Sequence, residues 1–440
     1  MADRRKTPNV TLRRLREREF QMSRHEFARL IVTTGEEMGE SVGCTARLVA
    51  AWEDGDVERP RGVYRRILTR MTGRTTEQLG FRLTTPVASA ASAAAPSAPN
   101  GGWENAAPDR RAFLADTAGA AVALLPVLTA AGERTPGRIG MHSVHAVHEA
   151  VGALYAHDHD HGSAALRQQA SEALHTAYGW LQDGQLTDRT ERQLRSATGH
   201  LSIAAGWLSY DSGRAGDARS LYAEALAAAR IAEDRGLEAH AFGCLALLAK
   251  ASGRPREAIA AAQGAQSAVR TYGSPRLLAL MAMREAGGWA LMGDASATDR
   301  AVVRAHHLYA EGPTEADPDW LEFFTPAELA GLEALARADL AQHDRAAAGA
   351  EQAVLLHGDA FARNRALYQA DVAIQHSVRD RPEPEAAAEA AGRVLAYLPA
   401  VRSDRLLQQL QNVESALQRH AAVPAVADWL DEYRTMTGVR

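Results

Sequence analysis

The sequence predicts an all-α protein, a small helical head joined by a linker to an α-solenoid of helical hairpins. Three observations predict it. Residues 9–82 hold several short amphipathic helical patterns opened by capping residues. From residue 165 onward the helical pattern is continuous and repeats, with Gly213, Gly253 and Gly293 spaced forty residues apart at helix–helix turns. Ala is abundant and aromatics make up only 6% of the chain, a composition suited to helices whose backbones approach closely. At 440 residues the chain is also too long for one ordinary compact domain.

The elements follow in order. Residues 1–8 read as a basic arm. Asn9 can cap a helix from Val10 to Glu19, with Leu12, Leu15 and Phe20 inward and Arg13, Arg14, Arg16 and Arg18 on the other face. Ser23 stands three residues before Glu26, just ahead of Phe27, Ala28, Leu30 and Ile31. That is a capping box, and it predicts a second helix over Arg24 to Ile31. Val32–Cys44 is polar and Gly-dotted, and reads as a connection longer than the usual tight turn. Thr45 caps a third helix that ends by Asp54-Gly55. Val49 and Trp52 share its inward face, whereas Thr45, Ala46, Arg47 and Ala50 lie nearer the outside. Pro60 opens a fourth helix with Tyr64, Ile67, Leu68 and Met71 on one face, and a short turn ends at Leu79-Gly80-Phe81.

Taken in this order, NVTLRRLREREFQMSRHEFA, VGCTARLVAAWEDG and RPRGVYRRILTRMTGRTTEQLGF resemble the phage-repressor-like (XRE-type) helix-turn-helix domain. More closely they resemble the version that opens many actinobacterial regulators carrying tetratricopeptide repeats. The resemblance covers residues 9–82, and it implies a regulator that binds double-stranded DNA. Arg47 is the best candidate for a base contact, by a bidentate pair to guanine, with a phosphate contact or a solvated charge as the rival reading. Thr45 and Arg24, at helix N-termini, resemble the family's phosphate contacts. Ala46 and Ala50 stand at reading positions but offer base edges no hydrogen bond. Arg61, Arg65 and Arg66 read equally as a grip on flanking phosphates or as a solvated face.

Charge supports this division. Residues 1–82 carry 17 Lys and Arg against 12 Asp and Glu, leaving 32 against 42 in the rest, so a basic head precedes an acidic body. Domain boundaries are expected at 1–82 for the head, 83–108 for an Ala/Ser/Pro-rich linker, and 109–440 for the tetratricopeptide-like repeats. Arg110-Arg111 and the apolar run after them imitate an export signal. They are internal, contain Asp116 and are too short to span a bilayer, so a packed helix ending near Pro126 is expected instead.

In the body, each copy reads as a helix A, a Gly or polar turn and an Ala-rich helix B. A fourth copy is set at His343 after an insertion, Gly312–Phe324, and a weaker one at Arg381–Ala391. Ala218, Ala258 and Ala348 are assigned equivalent places early in helix B. Tyr210, Trp289, Tyr309 and Trp320 are candidates for a ligand groove, with inter-helix core as the competing reading. The region 141–161 holds His142, His145, His148, His157, His159 and His161. A metal site there is weighed against an exposed polar helix end, and none is assigned.

Cys44 and Cys244 are the only cysteines, which excludes a disulfide framework and a cysteine zinc site and favours a reducing cytoplasm. No phosphate-cradling glycine loop, nucleophile elbow or zincin motif is present, so no enzymatic activity and no cofactor are expected. The functional expectation is a transcriptional regulator that dimerises onto two DNA half-sites and senses a peptide, a small molecule or a protein partner through its repeats. The alternative is a tetratricopeptide-type scaffold whose head does not bind DNA.

Overall fold

A computed structural model describes residues 8–81, except 21, 39, 41, 56, 58, 59 and 77, and residues 139–437, except 162–165, 358–360, 400 and 402. The linker 83–108 and the expected helix at 110–128 lie outside the described residues. Every regular element among the described residues is helical. The chain divides into two compact units, Met1–Asp109 and Arg110–Arg440. Among the described residues no helix is long and apolar enough to cross a membrane.

The head holds α1 (Val10–Arg14), α2 (Arg24–Glu37), α3 (Ala46–Glu53) and α4 (Gly62–Thr72). Asn9 caps α1 by accepting from Leu12 N. The capping box forms in both directions: Ser23 Oγ accepts from Glu26 N at 3.2 Å, and Glu26 accepts from Ser23 N at 2.8 Å. Leu12, Phe27, Ile31, Val49, Trp52, Ile67, Leu68 and Leu79 are essentially solvent-free and form one core. Each large apolar side chain buried this way contributes about 1.5–3 kcal/mol against the entropy of ordering the chain. Trp52 is the centre of it, meeting Tyr64 edge-on at 5.2 Å and Phe81 at 6.2 Å.

Two expectations are corrected here. The second helix does not stop at Ile31 but runs to Glu37, which shortens the connection to α3. Gly35, which the sequence reading sets in the connection, sits inside the helix, where it allows close approach. A methyl group there would stand 2.9 Å from Val42 and 3.1 Å from Ile67. Arg16 is not on the outer face either. After α1 the chain widens into a π-helical turn, Leu15–Glu19, and Arg16 is buried.

The body is built from α5 (Met141–His161), α6 (Arg167–Asp183), α7 (Asp188–Asp211), α8 (Ala215–Ala232), α9 (Arg235–Ala251), α10 (Pro255–Ala268) and α11 (Pro275–Leu291). It continues with α12 (Ala295–Ala310), α13 (Pro326–Asp339), α14 (His343–Leu356), α15 (Ala362–Val378), α16 (Pro384–Leu395), α17 (Asp404–Leu417) and α18 (Pro424–Thr437). Consecutive helices pack as hairpins, and each odd-numbered helix A also packs on a neighbouring helix A. The result is an α-solenoid of tetratricopeptide-like hairpins.

The turn inside the repeating hairpins is chemically constant. Gly213, Gly253 and Gly293 each take a left-handed conformation. The next amide in each case, at Arg214, Arg254 and Asp294, donates back to the carbonyl of Ser209, Ala249 and Trp289. This is the Schellman closure of a helix end. The fourth copy repeats it with Ala341 at φ 56° and Gln342 N donating to Arg337 O, so the register is set at Ala341 and not at His343. Ala346, therefore, and not the exposed Ala348, is the equivalent of Ala218 and Ala258. All three are buried where helix B crosses helix A.

The array closes on itself. Helix α5 packs on α15. Asp211, the last residue of α7, is fully buried and accepts from Ser403 Oγ at 3.0 Å, 192 residues further along the chain. Arg363 and Arg405 approach the same carboxylate at 3.7 and 3.8 Å. Lys250 at the end of α9 pairs with Asp339 at the end of α13 at 2.7 Å. Ion pairs between A helices two hairpins apart require tight winding, with the A helices facing one another across the inside.

Candidate functional site

In the head, Thr45 adopts an extended conformation and its Oγ1 accepts from Leu48 N, which starts α3. Gly55, at φ 77°, turns the chain away from its end. With Val49 and Trp52 inward, Arg47 is exposed, and it takes no ion-pair partner among the described residues. Ala46 and Ala50 are half-buried beside it. Arg61 is exposed at the start of α4, Arg65 is half-buried, and Arg66 is held by Glu40 at 2.6 Å.

Arg24 has a different setting. Its Nε donates to Glu53 at 2.8 Å, and a second nitrogen reaches Asp54 at 3.4 Å. Arg16 grips the other side of Glu53 with two hydrogen bonds, at 2.6 and 3.1 Å, and Arg13 stands at 3.6 Å. Glu53 is completely buried. Burial alone would raise its pKa, but the hydrogen bonds and charges of Arg16 and Arg24 outweigh it and hold the carboxyl below the ordinary value. Arg24 is therefore occupied inside the head, and a phosphate would have to compete with Glu53 for it. The sequence reading placed Trp52 in the core but missed what Glu53 beside it does. The signal available was an acid next to the core tryptophan, with Arg13, Arg16 and Arg24 upstream.

The groove candidates separate in the body. Trp289 Nε1 donates to Glu285 at 3.2 Å, and Glu285 also accepts from Gln263 and Gln266 of α10 and from Arg304 of α12. Tyr309 lies under Arg276 and hydrogen-bonds Phe324 O. Both belong to the packing of the B helices and the insertion. Tyr210 lies on the inside, with Arg405 4.8 Å above its ring. Trp320 stacks flat on His240 of α9, with centroids 3.6 Å apart and planes 10° apart. The insertion is pinned so as to bring it there: Ser274 hydrogen-bonds Asp317 at 2.6 Å, and Thr314 donates to Gly273 O.

His240 continues a line of imidazoles on successive A helices that sequence reading did not see. His148 and His200 are 6.2 Å apart between centroids, and His200 and His240 are 6.3 Å apart. His148 is exposed and a fifth of the His200 side chain meets solvent, yet desolvation dominates the lowered pKa of both and pushes His200 down to about 4. Further along the inside, Asp371 is half-buried, accepts from Gln409 at 2.6 Å and is pushed up by desolvation to about 7. Among the described residues, several buried polar atoms here lack partners, among them His240 Nδ1, Trp320 Nε1 and Arg284 Nε. An unmade hydrogen bond of this kind costs about 1–3 kcal/mol.

His142 and His145 lie exposed on α5. The side chains of His157, His159 and His161 lie outside the described residues. Among those described, no group of three or more His, Cys, Asp or Glu is placed to hold a metal ion.

No protein-family model matches the chain, and no curated protein matches it. Among solved structures, one similar chain is a signal transduction ATPase with numerous domains that carries a tetratricopeptide repeat sensor, from Pyrococcus horikoshii. The match covers 71% of this chain and 54% of that one, with 14% sequence identity and a TM-score of 0.29. This chain thus spans about half the length of that neighbour. At that level of similarity neither fold nor function follows from the likeness.

Proposed function

We propose that the protein is a cytoplasmic transcriptional regulator of the phage-repressor-like (XRE) type. Its head reads double-stranded DNA, and its repeat unit dimerises and senses an effector. One observation carries this reading: α3 offers Arg47, exposed and without an ion-pair partner among the described residues, on a helix whose Val49 and Trp52 are locked into the core. A rigid short helix with a free guanidinium on its outer face is the part that enters a major groove. The basic charge balance of residues 1–82 supports it. Few side chains on α3 can hydrogen-bond base edges, so one head alone would bind weakly, and two half-sites gripped by a homodimer would supply the missing affinity. No reaction and no cofactor is assigned to the chain.

The test is genome-wide recovery of DNA bound by the full-length protein, with Arg47→Ala beside it. A repeated half-site motif is expected for the unaltered protein and its loss for the variant. Loss of one good bidentate contact should cost about 1–3 kcal/mol in sequence preference. Equal losses on specific and random duplex would reduce Arg47 to a phosphate contact. The sequestering of Arg24 by Glu53 favours one rival, a protein-interaction scaffold without DNA binding, and absence of salt-dependent binding to any duplex would establish that rival.

A further inference from the structure

We infer that the inner wall of the repeat unit around Arg284, His240 and Trp320 is a binding site for a carboxylate carried on a planar, apolar body. Arg284, on α11, is half-buried and makes no hydrogen bond or ion pair among the described residues. Its charge is felt at His240 and Cys244 on α9 and at Glu328 on α13, which places it between these inner helices. A guanidinium kept in a partly desolvated wall without a partner is poised for an anion from outside the chain.

Two further donors stand in the same neighbourhood without partners among the described residues. Trp320 Nε1 can only donate, and the neutral His240 ring can donate from Nδ1. The two rings lie flat on one another, so both are fixed in place by packing and by the pinned insertion. The surroundings decide the charge of the ligand. Asp234 and Asp319 act on His200, and Glu328 feels Arg284 first and then Arg405 and Arg363, so the cations here are already matched by acids. That balance suits a singly charged carboxylate and opposes a doubly charged phosphate. His200 and His148, stepping away at 6.3 and 6.2 Å, provide a ring-lined wall for the body of the ligand.

A free organic acid and the C-terminus of a peptide both present this chemistry. The inference rests on the repeat unit being the sensing part, and it is independent of whether the head binds DNA.

Calorimetric titration of the full chain, without DNA, tests it with phenylacetate, phenylacetamide, inorganic phosphate, and a Phe-ending tripeptide with a free or an amidated C-terminus. Saturable binding is expected for phenylacetate or the free tripeptide, and whichever is tighter identifies the source. The neutral counterpart and phosphate should bind roughly tenfold more weakly or worse, and so should the tighter acid to Arg284→Gln. Arg284 makes no hydrogen bond among the described residues, but its charge acts on the buried Glu328, so Arg284→Gln is scored only where it keeps its unfolding midpoint. If it does not, Arg284→Lys is scored instead, with a loss of roughly several-fold expected because the planar fork is gone. Equal affinity for acid and amide, tighter binding of phosphate, unchanged affinity in the scored variant, or no binding of any carboxylate would each overturn the site. DNA binding by a protein that ignores all the carboxylates would leave the regulator reading standing and remove this one.

Discussion

Glu53 in the head and Asp371 in the body are held in opposite ways. The head places one carboxylate, Glu53, at the centre of three arginines, and the hydrogen bonds win over desolvation, so the group stays ionised. The body leaves Asp371 with one strong hydrogen bond and distant cations, and desolvation wins, so its carboxyl is pushed up to about 7. The difference is one of partner number at close range. It teaches that a buried acid is a structural clamp when guanidiniums meet both of its oxygens, and a strained, titratable group when they do not.

Three changes would break or sharpen that contrast. The largest effect is expected for Glu53→Gln, which leaves buried Arg16 with only the exposed carboxylate of Glu17. The head should lose about 3–5 kcal/mol, seen as an early unfolding transition for the head in calorimetry while the body's transition stays in place. A single unshifted transition would show that the clamp is dispensable.

Next is pH. Because the folded pKa of Glu53 is lowered, its contribution is fully present above the ordinary value of 4.5 and is lost as pH falls through the folded value. Asp371 runs the other way: raised from 3.8 to about 7, it favours the fold below 3.8 and loses that contribution as pH rises through 7. Asp371→Asn should therefore gain on the unaltered protein between pH 4 and pH 7 and change little beyond, when unfolding midpoints are compared across that range. A difference that does not vary with pH would remove Asp371 from the account.

The smallest effect concerns the turns. Ala341 holds a left-handed conformation that Gly213, Gly253 and Gly293 adopt without strain. Ala341→Gly should raise the body's stability by about 1 kcal/mol, the relief outweighing the added freedom of the unfolded chain, whereas Gly253→Ala should lower it by a similar amount.

Much of this was legible in the sequence. The capping box at Ser23 and Glu26, the inward pair Val49 and Trp52, and the forty-residue spacing of glycines all report local backbone chemistry, and local chemistry is what a sequence writes plainly. The misreadings share one physical cause. Gly35 falls in the expected connection because its role is to let Val42 and Ile67 approach, a contact made by other elements. Ala341 hid the fourth turn because the register there is carried by hydrogen bonds and not by a glycine. Arg16 turned inward because it lies within a π-helical turn and Glu53, 37 residues away, receives it. The flat stack of Trp320 on His240 depends on the path of an insertion anchored at Ser274, and no spacing encodes that.

The bond between Asp211 and Ser403 also bears on how the body comes apart. An open stack of repeats frays from its ends, and each unit melts against its neighbours alone. Here the end of α7 is joined to the start of α17, so the repeats between them cannot separate without first breaking a contact that spans 192 residues. Bringing such distant segments together is slow, since the entropy of closing the loop comes due before the contact forms. Once formed, it makes the ring of hairpins open as a single cooperative unit, with slow unzipping and slow reassembly as its signature.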